Sequence, residues 1–202
     1  MTEEGGHGNA RASRMGMWLF LFTEMLLFGG LFLVYAVYRR GHPEAFHAAS
    51  GELSLAFGAG NTILLLTSSL SMALAVAAFE RGLISRALAL IGGTIGMGLL
   101  FLVNKGLEWS VKFGHGLYPG AAVLEARDPG ERLFFSLYFA MTGLHGLHVL
   151  VGAGVLGAVV VLVRRSGATA ERHGPLVENA GLYWHLVDIV WIFLFPLFYL
   201  IT

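Results

Sequence analysis

The chain has 202 residues, 56% of them hydrophobic and 13% charged, with a mean hydropathy of +0.70 and a net charge of zero. A soluble domain usually carries about a quarter charged residues, so composition argues against a water-soluble enzyme, and no basic stripe points to nucleic acid. With zero Cys there is neither a disulfide nor a thiolate metal site.

The charge deficit lies in five long apolar segments, each passing the roughly 20-residue length a bilayer span requires. Met15–Tyr38 contains one charge, Glu24, and is too long and without a small-residue cleavage site for a cleaved signal peptide. Gly58–Phe79 contains no charge, and Ala87–Leu107 only Lys105 near its end. Leu133–Val163 is uncharged, and Asn179–Thr202 holds Asp188 alone. The runs are continuous rather than alternating, and backbone groups in lipid must bond internally, so helices are expected and a barrel is not. The fold class predicted is all-α, an integral membrane bundle of five transmembrane helices, with residues 1–14 as a cytoplasmic tail and 15–202 as the bundle.

With five spans, the N-terminus shares a side with the second and fourth connections. That side carries Arg11, Arg14, Arg81, Arg86, Arg164, Arg165 and Arg172; the other carries Arg39, Arg40, Lys112, Arg127 and Arg132. The bias places the N-terminus in the cytoplasm and the C-terminus outside. Residues 39–54 and 110–131 read as outer loops rich in Gly, His and acids, neither able to bury a core of its own.

An ionisable group at mid-membrane costs roughly 2.5–3.5 kcal/mol on insertion scales and therefore faces other helices or a cavity. In chain order these are Glu24, Asn61, Lys105, Glu108, His145, His148, His185 and Asp188. Residues three apart are neighbours on a helix surface, so Lys105–Glu108, His145–His148 and His185–Asp188 each form one local polar spot. Lys105–Glu108 reads as an interfacial ion pair. His185–Asp188 reads as a carboxylate fixing an imidazole, or as part of a proton relay. Convergence of His145, His148, His185 and Asp188 on a metal is a further reading, disfavoured because a diiron enzyme needs many more histidines. Two histidines three apart cannot be opposite axial ligands of one haem. Glu24 has no sequence neighbour to pair with, and the small Gly29 and Gly30 let a partner helix approach. It is either a neutral acid donating one hydrogen bond, or a proton-handling or lipid-headgroup site. Gly92 and Gly96 read as a packing face, the hydroxyls of residues 66–73 as bonds to their own or a neighbouring helix, and Trp18, Trp109 and Trp184 as interfacial aromatics.

The segment "ENAGLYWHLVDIVWIFLF" resembles the final helix of subunit III of haem–copper oxidases, through Tyr183, Trp184, His185, Asp188 and Trp191. "FFSLYFAMTGLHGLHVLVG" is similar to that family's penultimate helix, through Thr142, Gly143, His145, Gly146, His148 and Gly152. "FLFTEMLLFGGLF" resembles its Ser-Glu helix, with Glu24 matching the intramembrane glutamate and Thr23 replacing Ser. "GNTILLLTSSLS" carries Asn61, Thr62 and Ser68 of the next, and "KGLEW" carries Glu108, with Trp109 where Tyr is common. The resemblance covers all five spans, about residues 15–200; the chain starts at the Ser-Glu-type helix, as five-helix bacterial members do, so the lipid-filled cleft of the seven-helix form is not carried over.

The resemblance implies an accessory, redox-centre-free subunit that binds no cofactor itself and lies in a bacterial plasma membrane. Haem and copper would lie in partners, subunits I and II, with further small subunits or a respiratory supercomplex around them. It also implies phospholipid binding and support of assembly, proton uptake and turnover stability while oxygen is reduced to water. Within the family the alternative is a quinol oxidase or nitric oxide reductase. Outside it, a proton-coupled transporter using Glu24 and Asp188 predicts transport by the isolated chain, and a metalloenzyme predicts stoichiometric metal.

Overall fold

A computed structural model describes residues 4–165 and 170–200, with side chains from Arg14 to Arg165 and from His173 to Leu200. Arg11 and Arg172, counted above toward orientation, lie outside the described side chains. Five helices are long and apolar enough to cross a membrane: α1 (Glu4–Gly41), α3 (Leu55–Glu80), α4 (Ile84–Gly114), α6 (Pro129–Arg165) and α7 (Ala170–Phe195) with a closing π-helical turn, Pro196–Leu200. No strand occurs among the described residues. Helix α1 runs back to Glu4, so residues 4–14 continue the first span as helix.

The helices α3 and α4 form a hairpin closed by Gly82, whose φ of 74° lets the Leu83 N–H reach back to the Ala78 carbonyl at 2.9 Å. This is the six-to-one bond that satisfies an orphan carbonyl at a helix end. Gly116, with φ 69°, does the same beyond α4, where the Leu117 N–H meets the Lys112 carbonyl at 3.0 Å.

Helix α7 packs against α3, α6 and α1 and is the centre of the bundle. In its most apolar stretch 56% of residues are buried, against 11% in α1. Trp184 and Trp191, both fully enclosed, fill that centre. Trp184 is therefore not an interfacial aromatic. Its helix begins at Ala170, about two turns before the apolar run that marks the span in sequence, which moves Trp184 from an end to the interior.

Backbone approach is permitted at Gly98 and Gly152, which hold the Trp184 ring between them. A Cβ on Gly98 would lie 2.5 Å from Trp184 Cη2, and one on Gly152 3.0 Å from Tyr183 Cε1 and 3.1 Å from Trp184 Cε3. Gly92, Gly96, Gly29 and Gly30 have open space where a Cβ would go. The expected packing face at Gly92 and Gly96 is thus displaced to Gly98, about half a turn away on α4. The segments read as loops also carry structure: α2 (Pro43–Ser50) and α5 (Ala122–Glu125). Phe46 of α2 is 1% exposed and packs edge-on against Tyr35 and Phe134, so α2 extends the core over one end of the bundle.

Candidate functional site

Lys105 on α4 places its ammonium 2.9 Å from Glu108 Oε2, 2.9 Å from the Tyr138 hydroxyl of α6 and 2.8 Å from the Tyr199 hydroxyl. An ammonium has three N–H donors, and all three are used. Tyr199 donates to Glu108 Oε1 at 2.7 Å, closing the ring of contacts. Pro196 has no N–H to continue the α ladder, and the wider turn that follows brings Tyr199 inward. The Lys105 and Glu108 side chains are only 5% and 2% exposed. The pair is therefore enclosed by protein, because Tyr138 and Tyr199 cover it.

Glu24 and His148 meet across α1 and α6, Oε2 to Nε2, at 3.0 Å. His148 Nδ1 lies 2.8 Å from the Leu144 carbonyl. A carbonyl only accepts, so Nδ1 carries a proton. Nε2 then either accepts from a protonated Glu24 or donates to its carboxylate. In both forms the pair is neutral as a whole and holds one proton between its two atoms. This is the partner that Glu24 lacks in its own segment, and Phe28 covers it with its ring 5.3 Å from the imidazole.

Helix α7 is fastened to α3 by a row of hydroxyls. Trp191 Nε1 donates to Thr62 Oγ1 at 3.0 Å, Trp184 Nε1 to Ser68 Oγ at 3.0 Å, and His185 Nδ1 meets Ser69 Oγ at 2.8 Å. Between Thr62–Trp191 at one end of the row and Ser68–Trp184 with Ser69–His185 at the other, the α3 number rises while the α7 number falls, the pairing of antiparallel helices. Thr62 and Ser68 bond at the same time to carbonyls of α3, at 2.9 and 2.8 Å.

The structure separates two of the three expected pairs. His185 bonds Ser69, while Asp188, 2% exposed, meets no donor in hydrogen-bond geometry among the described residues, although the Ser69 hydroxyl lies within its reach. Three residues of helix rotate the second side chain by about 60° from the first, enough here to divide the two between different surroundings. His148 likewise faces α1, whereas His145 is fully buried between Phe101 and Trp191, ring centres 5.4 and 5.2 Å away, with neither ring nitrogen bonded among the described residues. Asn61 accepts from Asn104 Nδ2 at 3.2 Å. Among the described residues no three His, Asp or Glu side chains gather where a metal could be held. Trp18 is 58% exposed, and Trp109 is half-buried against Phe113 and Phe139.

At the end that carries α2 and α5, cations are matched locally. Arg127 bonds Glu52 and, at 3.1 Å, Glu131; Arg132 bonds Glu125 at 2.8 Å; Lys112 donates to the Glu52 carbonyl. The bond to Glu52 holds the Arg127 guanidinium above its ordinary pKa. At the other end Arg14 pairs with Glu178 at 3.0 Å, joining α1 to α7.

Sequence spacing did not find Ser69, Tyr138, Tyr199 and Asn104, because each acts on a residue of another helix. Only the hydroxyl-rich run 66–73 gave a signal, and it named no partner.

A family model for cytochrome c oxidase subunit III matches residues 2–202. Cytochrome c oxidase subunit 3 of Synechocystis sp. is 34% identical over 197 residues, 98% of this chain and 79% of that protein. Cytochrome bo(3) ubiquinol oxidase subunit 3 of Pseudomonas aeruginosa is 31% identical over 96% of this chain and 87% of that protein. A haem–copper oxidase subunit I+III of Aeropyrum pernix is 31% identical over 93% of this chain, which spans 22% of that longer protein. Five apolar helices joined by buried polar contacts, with a family match along almost the whole length, place this chain in the cytochrome c oxidase subunit III family, as a multi-pass membrane subunit accessory to a haem–copper oxidase.

Proposed function

We propose that the chain serves a cytochrome c oxidase of a bacterial plasma membrane, packed beside the haem-bearing subunit I, with its N-terminal tail in the cytoplasm and its C-terminus outside. One observation carries this reading: the Aeropyrum pernix relative is named as subunits I and III in a single chain, the arrangement expected of two parts that work side by side. The relative named as a cytochrome c oxidase subunit has the higher identity, 34% against 31% for the quinol oxidase relative, and favours cytochrome c as donor.

In this reading Glu24, Asn61, Lys105, Glu108, His148 and His185 hold the five helices in register, and haem and copper belong to subunits I and II. Interhelical hydrogen bonds are worth about 0.6 kcal/mol each, up to about 1.7, so several in series fix the bundle without any one dominating. A well-fixed bundle gives subunit I a constant neighbour and so supports assembly and turnover stability. The Glu24–His148 pair, with its single shared proton, is the part of the chain suited to a proton-related role.

The test is gentle detergent purification of the complex, partner identification by mass spectrometry, a haem spectrum, and turnover with reduced cytochrome c and with quinol in parallel. Co-purification of a haem-bearing subunit and cytochrome c turnover are expected. Turnover with quinol alone would replace the donor with quinol. Purification with no haem-bearing partner would reject the reading.

A further inference from the structure

Helix α1 packs on α6 and α7, and α3 on α4 and α7, so a strip of α7 stays open between α1 and α3. It carries His185, Ile189, Ile192 and Phe193, the last three exposed and the imidazole half-buried. Positions 185, 189 and 192 recur at steps of four and three, the spacing of one helix face. Ser69 of α3 marks one edge through its bond to His185, and Phe32 of α1 marks the other, its ring centre 5.9 Å from that of Phe193. The strip is thus the floor of a groove walled by α1 and α3. All of that floor suits lipid tails except the imidazole, which lies near the middle of the span His173–Leu200. Its Nδ1 meets Ser69 Oγ at 2.8 Å, while Nε2 has no partner among the described residues and is not enclosed by them. The bilayer core offers such a group no hydrogen bond. The Glu24–His148 pair makes no similar demand, because its atoms bond one another and His148 Nδ1 is spent on the Leu144 carbonyl.

We propose that this groove seats a transmembrane helix of the haem-bearing subunit, one that brings a hydroxyl or carboxamide side chain to His185 Nε2. The proposal rests on the functional reading above and deepens it by naming the docking face. Ser69 sets the chemistry of the partner. If its hydroxyl donates to Nδ1, Nε2 carries the ring proton and donates outward. If it donates instead to the Asp188 carboxyl within its reach, Nδ1 donates to Ser69 and Nε2 accepts. A hydroxyl or an amide serves either form, whereas a carboxylate or an ammonium would bring a costly charge to mid-membrane, and a lipid tail serves neither form. The Aeropyrum pernix relative, named as subunits I and III in one chain, points to the haem-bearing subunit as the source of that helix.

The experiment is photo-cross-linking in the intact membrane complex, with a diazirine analogue of leucine in place of Ile189 in the strip or, separately, of Val103 on α4, both exposed in this chain. Mass spectrometry identifies what each position captures. Position 189 is expected to capture a membrane-spanning segment of the haem-bearing subunit, and position 103 little of it. Ile189→Trp fills the groove from an exposed position, so it should leave unfolding of the isolated chain unchanged and release the chain from the complex. His185→Phe should weaken retention in the complex about threefold, the worth of one interhelical bond, and His185→Gln, which can still bond a hydroxyl or an amide, should weaken it less. Capture by position 189 of lipid alone, of a second copy of this chain or of a different subunit overturns the proposal. So does wild-type retention of either Ile189→Trp or His185→Phe. In each of those cases a co-purified haem-bearing subunit leaves the functional reading standing, whereas a complex without that subunit rejects the reading and the proposal together.

Discussion

The first and last spans are built on opposite principles. Helix α7 is surrounded: its Trp184 indole sits in glycine-lined space on α4 and α6, its polar edge is taken up by hydroxyls of α3, and the turn that follows it closes over Lys105 and Glu108. Helix α1 lies along one side of the bundle, with only 11% of its most apolar stretch buried. It is held at intervals by Arg14–Glu178, Glu24–His148 and Tyr35–Leu197. Lipid tails are as apolar as a helix surface, so apolar area alone does not decide what joins what in a membrane. The comparison therefore divides the molecule into a helix fixed by shape and one fixed by a few polar clips, and each can be broken in its own way.

The largest effect is expected where α7 ends. Replacing Lys105 by Met leaves Glu108 as an uncompensated buried charge, and breaking such a pair costs about 3–5 kcal/mol. Reversible unfolding of the purified chain in mixed micelles reads this loss. The double variant Lys105→Met with Glu108→Leu should recover most of it, because an apolar pair of similar volume replaces the ions without stranding either. A single variant as stable as the double would show that the tyrosines alone satisfy Glu108.

Shape is tested next. Gly98→Val forces a side chain into the Trp184 ring, and overpacking of this kind costs about 1–3 kcal/mol. Gly96→Val, two residues away in open space, should change stability by roughly 0.5 kcal/mol or less. Equal effects at the two positions would mean that α7 is not seated by the Gly98 face.

For α1 the expected losses are smaller. Glu24→Leu removes one interhelical bond, a loss of about 0.6 kcal/mol and at most about 1.7. It should appear as weakened cross-linking between α1 and α6 with α3–α7 cross-links unchanged. Glu24→Gln should retain more than Glu24→Leu, because Leu144 keeps the proton on Nδ1 and leaves Nε2 free to accept from the amide. A loss of α3–α7 cross-linking in Glu24→Leu as large as the loss between α1 and α6 would erase the distinction between the two helices.

The division also explains what could be foreseen. Apolar length gives the existence and order of all five spans, because it reports a property of each segment alone. Charge pairing at i,i+3 within one helix is likewise local, and Lys105–Glu108 was legible for that reason. Contacts between helices depend on rotation and depth, which no segment encodes by itself. Spacing thus groups His145 with His148 and His185 with Asp188, where the bundle sends each member to different neighbours. The position of Trp184 was illegible for a related reason: residues 170–178, which include Glu171, Arg172, His173 and Glu178, extend α7 as helix, so the apolar run marks only its later part. The short helices α2 and α5 escaped because one amphipathic turn or two within a polar segment leaves little periodic signal.

The smallest effect should come from Asp188, the acid that stands out most in the final span. Its carboxyl meets no donor in hydrogen-bond geometry among the described residues, so it contributes no clip that a substitution could remove. An amide of the same shape exchanges one unsatisfied group for another, and Asp188→Asn should move stability by roughly 0.5 kcal/mol or less. His185→Phe, one turn earlier, should cost more, about 0.6 kcal/mol, because it breaks a bond between helices. The same unfolding assay ranks the two. If Asp188→Asn proved the more damaging variant, the carboxylate would have a partner in the assembled complex, and α7 would then share with α1 a dependence on polar clips.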